Sequence, residues 1–177
     1  MKEIFIPLVK FNNEANKAVG DILDKMSDAD RERNRKSYYG SLSGLYRHII
    51  GGTYYFLSLM GKAAKDNAAA LKALAPLAKV ELPKGKKLSG EQWKMAEAAK
   101  KIVDKALIAF VEALEEKDYA AMVEIPFYKG KPPAVPLHFL LQMLNAHGVH
   151  HRGQISQILD SLKIDNDYSG INVKFLA

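Results

Sequence analysis

Two histidines four residues apart, His147 and His151, fall within the stretch Asn145-Ala-His-Gly-Val-His-His-Arg-Gly-Gln-Ile155. On a helix, a separation of four residues leaves two side chains about 40° apart on one face. Their Cβ atoms then lie about 5–6 Å apart, a spacing at which two imidazoles can bind one metal ion. A third histidine, His48, stands at helical spacing between Leu45 and Gly52 and so faces at or beside a core. Either these are core histidines satisfied by hydrogen bonds, or they converge on a cation. Three neutral imidazoles in an apolar interior would each need a polar partner. One divalent ion answers all three at about 2.0–2.1 Å per bond, so the pattern favours a three-histidine metal site.

The neighbouring polar residues take different places on the same wheel. His150 is about 60° from His147 and about 100° from His151, so it can flank the pair but not replace His151. Gln154, seven residues after His147, is nearly in line with it and borders the same face. His150 and Gln154 are the candidates for orienting a ligand or moving a proton. His138, nine residues before His147, faces the opposite side and is expected at a boundary or in solvent.

Several other chemistries are excluded. No His-Glu-x-x-His and no Glu-x-x-His occurs, which removes the zincin and the di-iron carboxylate patterns. Asp165-Asn-Asp-Tyr-Ser-Gly170 imitates the start of a calcium loop, but the bidentate glutamate would fall on Leu176. Gly51-Gly52 lacks the lysine and serine of a phosphate loop. There is no cysteine, so disulfides, thiolate ligands and a cysteine nucleophile are absent.

The elements that must carry these residues are helical. Ile4, Leu8, Phe11, Ala15, Ala18, Ile22 and Met26 recur at spacings of three and four, one face of a first helix. Ser27-Asp-Ala-Asp breaks it, and residues 31–36 read as a polar connection. Ser41 is a fitting N-cap for a second helix, with Leu45, Ile49, Gly52, Phe56 and Leu59 as its stripe. Two glycines inside a helix cost about 1 kcal/mol each against alanine, which close approach of another helix or room for a ligand would justify. Residues 66–75 form a short helix ended by Pro76, and residues 82–90 a loop. Ser89-Gly-Glu-Gln92 is a capping box opening a third long helix, residues 90–117, with Trp93, Ala96, Ala99, Val103, Leu107, Phe110 and Leu114 buried. Residues 124–136, with four prolines, cross to a fourth helix as an extended segment or short hairpin. That helix runs from Pro136 to about residue 163, with Leu137, Leu140, Leu144, His147, His151, Ile155, Ile158 and Leu162 inward. The tail from Asp165 carries no helix signal.

Four amphipathic helices imply an all-α, four-helix bundle of the up-down type with one or more longer crossover connections, a single domain over residues 1–177. Length and an apolar content of 48% permit a sizeable core. The net charge of +6 gathers partly in Lys79–Lys87, without the aromatic interleaving of a nucleic-acid surface, and nucleic acid is not expected as a partner. The start has an acidic residue and too short an apolar run for a signal peptide, and no stretch is long enough to span a bilayer. A cytoplasmic protein is the expectation.

The chain resembles the DinB/YfiT-like superfamily. The resemblance rests on Ser37-Tyr-Tyr-Gly-Ser-Leu-Ser-Gly-Leu-Tyr-Arg-His48 and on the Asn145–Ile155 stretch, and covers the first helix through about residue 163. It implies a four-helix bundle, commonly a homodimer, with a divalent metal held by His48, His147 and His151. Relatives of this kind include transferases and isomerases that use low-molecular-weight thiols, and metal-dependent hydrolases. The resemblance therefore implies an enzyme in which the metal activates a thiol or water against a small-molecule substrate, with His150 or Gln154 supporting. Zinc or nickel suits imidazole ligands. The alternative is a non-catalytic, stress-related bundle with a structural metal.

Overall fold

The computed structural model describes residues 1–84, 87–126 and 134–167. Four long helices dominate: α1 (Lys2–Asp24), α3 (Leu42–Ala63), α5 (Glu91–Ala113) and α6 (Leu137–Ser161). Two short ones, α2 (Asp28–Glu32) and α4 (Ala68–Leu74), and two 3-10 turns, Ala75–Lys79 and Glu116–Ala120, lie in the connections. A two-stranded antiparallel ribbon pairs β1 (Met122–Glu124) with β2 (Ala134–Pro136), Val123 opposite Val135. It forms the base of the expected 124–136 crossing; residues 127–133, and the tail from residue 168, lie outside the described residues.

α1 and α3 stand at opposite corners, and each packs against both α5 and α6. Trp93 at the start of α5 donates to Asp24 at the end of α1 (2.9 Å) and stacks on Tyr46 near the start of α3. The first half of α6 packs with Phe56, Leu57 and Phe110, and its last part with Leu42, Leu45 and Trp93. The chain therefore runs up, down, down, up. Parallel neighbours α3 and α5 need a connection the length of the bundle, and residues 64–90 are that crossover.

Caps explain several of the ends. Ser41 Oγ accepts from the Gly44 amide (3.1 Å), the expected start of α3. Asn67 accepts from Ala70 (2.9 Å) and opens α4. The capping box at Ser89 does not form. α5 starts at Glu91 after Gly90, whose φ of +55° suits a glycine, with no side-chain cap. The crossover is instead held to α2, where Leu88 N–H donates to Glu32 (2.7 Å) and Gly90 N–H to Asp28 (2.9 Å). These contacts fix the chain direction into α5, so Ser89 is not free to cap. Residues 31–36 also depart from a plain connection, because α2 is helical and Arg31 is buried. Its Nη1 donates to the carbonyls of Leu23 (3.0 Å) and Met26 (2.6 Å), and its guanidinium lies over Trp93. α5 stops at Ala113 rather than Lys117, because Asn67 takes the Ala113 carbonyl (3.0 Å) and Asp118 (2.6 Å) and turns the chain away.

The register of α1 is rotated from its expected face. Phe5, Val9, Ala15, Val19 and Leu23 are buried, while Ile4 is 58% exposed. The reason is polar: Asn12 and Asn16 point inward, and Arg152 of α6, only 3% exposed, donates to both carbonyl oxygens at 2.7 Å. Placing Ile4 inward would turn those asparagines out and strand a buried cation. Two apolar clusters, one at each end of the bundle, thus flank a polar belt at mid-height. On the far side of that belt Lys100 pairs with Asp104 (2.5 Å), and Asn13 donates to the Asp104 carbonyl (2.8 Å). No helix among the described residues is long and apolar enough to cross a membrane.

Candidate metal centre

The third polar cluster of the belt lies between α3 and α6, where His48, His147 and His151 meet. Their available ligand atoms all lie within 4.8 Å of one another. His147 Nε2 is 2.8 Å from His48 Nε2, and the three ring centroids are 4.5–4.7 Å apart. The stripes of the sequence place them there: His147 and His151 are one turn apart on α6, and His48 faces them from α3. Gly52, one turn after His48, lets the helices close. A Cβ there would stand 2.8 Å from His147 Cε1, closer than side chains tolerate. Gly51 beside it meets nothing within 4 Å.

The surroundings fix charge and tautomer. Burial, then the neighbouring His151 and Arg47, lowers His48 to about 4. Burial, then the other histidines, lowers His147 to about 4. His151 is also lowered by burial, and its hydrogen bond to Gln154 opposes the shift. All three are therefore neutral imidazoles at pH 7, the form that ligates. His151 Nδ1 donates to Gln154 Oε1 (2.8 Å), which leaves Nε2 with its lone pair. Gln154 is thus brought to the site as expected from its position. His150 is exposed, its ring 4.8 Å from that of His151, and it stands outside the cluster as the wheel predicts. His138, half-buried, donates from Nδ1 to the Tyr119 carbonyl (2.8 Å) away from the site.

The sequence reading missed Tyr39. A tight turn over Ser37–Gly40, closed by Gly40 N–H to the Ser37 carbonyl (2.9 Å), lays its ring on His48. The rings stack at 3.9 Å and 20°, and the hydroxyl comes within 2.8 Å of His48 Nε2. The Tyr39 hydroxyl and His147 Nε2 thus both lie 2.8 Å from His48 Nε2. Burial raises the phenol, so it stays protonated. The Tyr-Tyr-Gly turn signal upstream of His48 was visible, but not what it covers.

These residues fit a divalent cation better than a set of core histidines. His147 Nδ1 is buried and has no hydrogen-bond partner among the described residues. A histidine kept for packing and hydrogen bonding would not leave that nitrogen unpaired. The cluster contains no carboxylate or thiolate, a donor set of three imidazoles that suits zinc or nickel among others.

Fold and site together define an all-helical bundle with a three-histidine cluster between its second and fourth long helices. The DinB family model matches residues 1–162, and the chain belongs to the DinB family. Comparison with curated proteins and with solved structures gives no match.

Proposed function

We propose that this protein is a metal-dependent enzyme of the thiol-transferase or hydrolase type, with His48, His147 and His151 as ligands. The observation that carries the reading is that three neutral imidazoles converge beneath a protonated phenol, beside a cleft that includes His48. A divalent cation bound there would supply a Lewis acid with an open position, lowering the pKa of a coordinated thiol or water. The chain's own residues do the rest. Gln154 holds the His151 tautomer through Nδ1. The Tyr39 hydroxyl, above His48, can donate its proton to a developing negative charge on a substrate atom. Gly51 and Gly52 keep the wall of the cleft clear of side chains. His150, exposed and with its ring 4.8 Å from that of His151, flanks the cluster.

The rival is a bundle whose metal only pins α3 to α6; the absence of a carboxylate from the cluster speaks for it. Zinc- and nickel-loaded protein, assayed for transfer of a low-molecular-weight thiol to an activated small electrophile and for ester hydrolysis, separates the two. Turnover that Tyr39→Phe lowers by about 10²-fold or more, while metal content is unchanged, supports the enzyme. Metal-loaded protein without turnover on either substrate class supports the rival.

A further inference from the structure

Beside the histidines, a cleft of about 270 Å³ opens between α3 and the later part of the crossover. Tyr39 and His48 lie at its inner end, Gly51 and Gly52 along one wall, and Leu82 and Pro83 along the other. Arg47 is the remaining lining residue, and its guanidinium is the one formal charge among the described lining residues. Arg47 is half-buried, yet it makes no hydrogen bond or ion pair among the described residues. Every other buried or half-buried arginine described so far has acceptors: Arg31 has two carbonyls, and Arg152 two asparagines. An unpaired guanidinium in a cleft is a ready partner for an anion.

Gly51 points the same way. A glycine inside α3 costs helix stability, and here no neighbour requires it, because a Cβ would enter open space. That space is the cleft. The crossover forming the far wall also carries a basic run, with four lysines and one glutamate in Lys79–Lys87. Net positive charge on that segment raises the local concentration of anions.

We infer that this cleft binds a small carboxylate-bearing substrate, its carboxylate on Arg47 and its reactive end over His48, His147 and His151. A carboxylate is favoured over a phosphate because one planar guanidinium matches it with two parallel hydrogen bonds. A phosphate dianion would call for further cations or a backbone amide cradle, which the described lining residues do not offer. The volume, just below the usual range of about 300–1,000 Å³, restricts the ligand to a small one. The inference rests on the proposed function for what happens at the reactive end, but not for the binding itself.

The test is a titration with succinate, followed through the backbone amide signals of Gly51 and Gly52 by NMR. Wild type, Arg47→Gln, Arg47→Lys and Gly51→Leu are compared, each zinc-loaded and each chelator-stripped. Succinate should shift the Gly51 and Gly52 signals in both wild-type forms. Affinity should fall by about ten- to a hundredfold in Arg47→Gln, the loss of a charge-assisted pair, and by less in Arg47→Lys. Gly51→Leu should block binding while its thermal midpoint stays at or above wild type. Equal affinity in wild type and Arg47→Gln, or unhindered binding to Gly51→Leu, overturns the inference. Inorganic phosphate binding more tightly than succinate, with the same dependence on Arg47, overturns the carboxylate assignment. Protein that takes up no zinc but still binds succinate through Arg47 refutes the metal reading alone.

Discussion

Gly52 and Gly51 are adjacent in one helix and chemically identical, yet alanine should act on them in opposite ways. At Gly52 the new Cβ would stand 2.8 Å from His147 Cε1, where ordinary contacts begin near 3.4 Å. The ring of His147, or α6 with it, must retreat by about 0.6 Å, the difference between those two distances. Metal–ligand distances are held to about ±0.2 Å, so a shift of that size cannot be absorbed within the coordination bonds. Displacing one of three ligands in this way should weaken zinc by about 10–100-fold, the range found when ligand-orienting partners are lost. At Gly51 the Cβ meets nothing, and the gain in helix propensity of up to about 1 kcal/mol is kept. Gly51→Ala should therefore raise the midpoint of thermal unfolding by about 2–4 °C and leave zinc affinity unchanged. Competition with a chromophoric chelator measures the affinities, and calorimetry the midpoints. If Gly52→Ala binds zinc as tightly as Gly51→Ala, the tight contact between α3 and His147 does not set the ligand geometry, and the reasoning fails.

Three further outcomes are expected. His147→Ala should purify without stoichiometric metal by elemental analysis, and a chelator that lowers the wild-type unfolding midpoint should leave that of the variant unmoved; retained metal in the variant would remove His147 from the ligand set. Gln154→Ala should keep the metal but bind it about 10–100-fold more weakly, because the acceptor that fixes His151 Nδ1 is gone, and an unchanged affinity would show that Gln154 does not orient the ligand. Asp104 is pushed up to about 6 by burial, against the opposing pull of Lys100. Its folded value lies above the ordinary 3.8, so the native state binds this proton more tightly than the unfolded chain does. The stabilisation from this group is complete below about pH 4 and is lost as pH rises through 6. Across pH 4–7 the depressed histidines His48 and His147 make stability rise with pH, and Asp104 opposes them, so urea denaturation should show a steeper rise in Asp104→Asn than in wild type; identical slopes would refute it.

The sequence made the histidines legible because both periodicities agreed: an i,i+4 pair on an apolar stripe of one helix, and His48 on the stripe of another. A local pattern suffices for that, and four strong stripes suffice for an all-α bundle. What it could not supply were quantities set by a partner far along the chain. The face of α1 is decided by Arg152, some 140 residues away, through Asn12 and Asn16. A stripe count sees those asparagines only as polar and turns them outward. The start of α5 is decided by acids of α2 rather than by Ser89, so a valid capping pattern goes unused. Tyr39 and Arg47 both precede His48 in sequence, but an aromatic and a cation on a turn and a helix have no period to mark them.

The polar belt that misled the reading of α1 is also what holds the ligand helix in place. α6 presents His147 and His151 toward α3 and, one residue later in each case, Gly148 and Arg152 toward α1. Arg152 is fixed by two asparagine oxygens, and a Cβ at Gly148 would overlap Asn12. On the other side Gly52 brings α3 against the ring of His147. α6 is thus seated between two close contacts at the same height, each made possible by a glycine, and it has little room to move toward either neighbour. A hydrophobic layer there would pack as densely but would tolerate sliding among near-equivalent arrangements, whereas directional bonds to Arg152 accept one. A site built from one histidine on α3 and two on α6 needs that restriction, since its ligand distances depend on the spacing and register of the two helices and on nothing local to either.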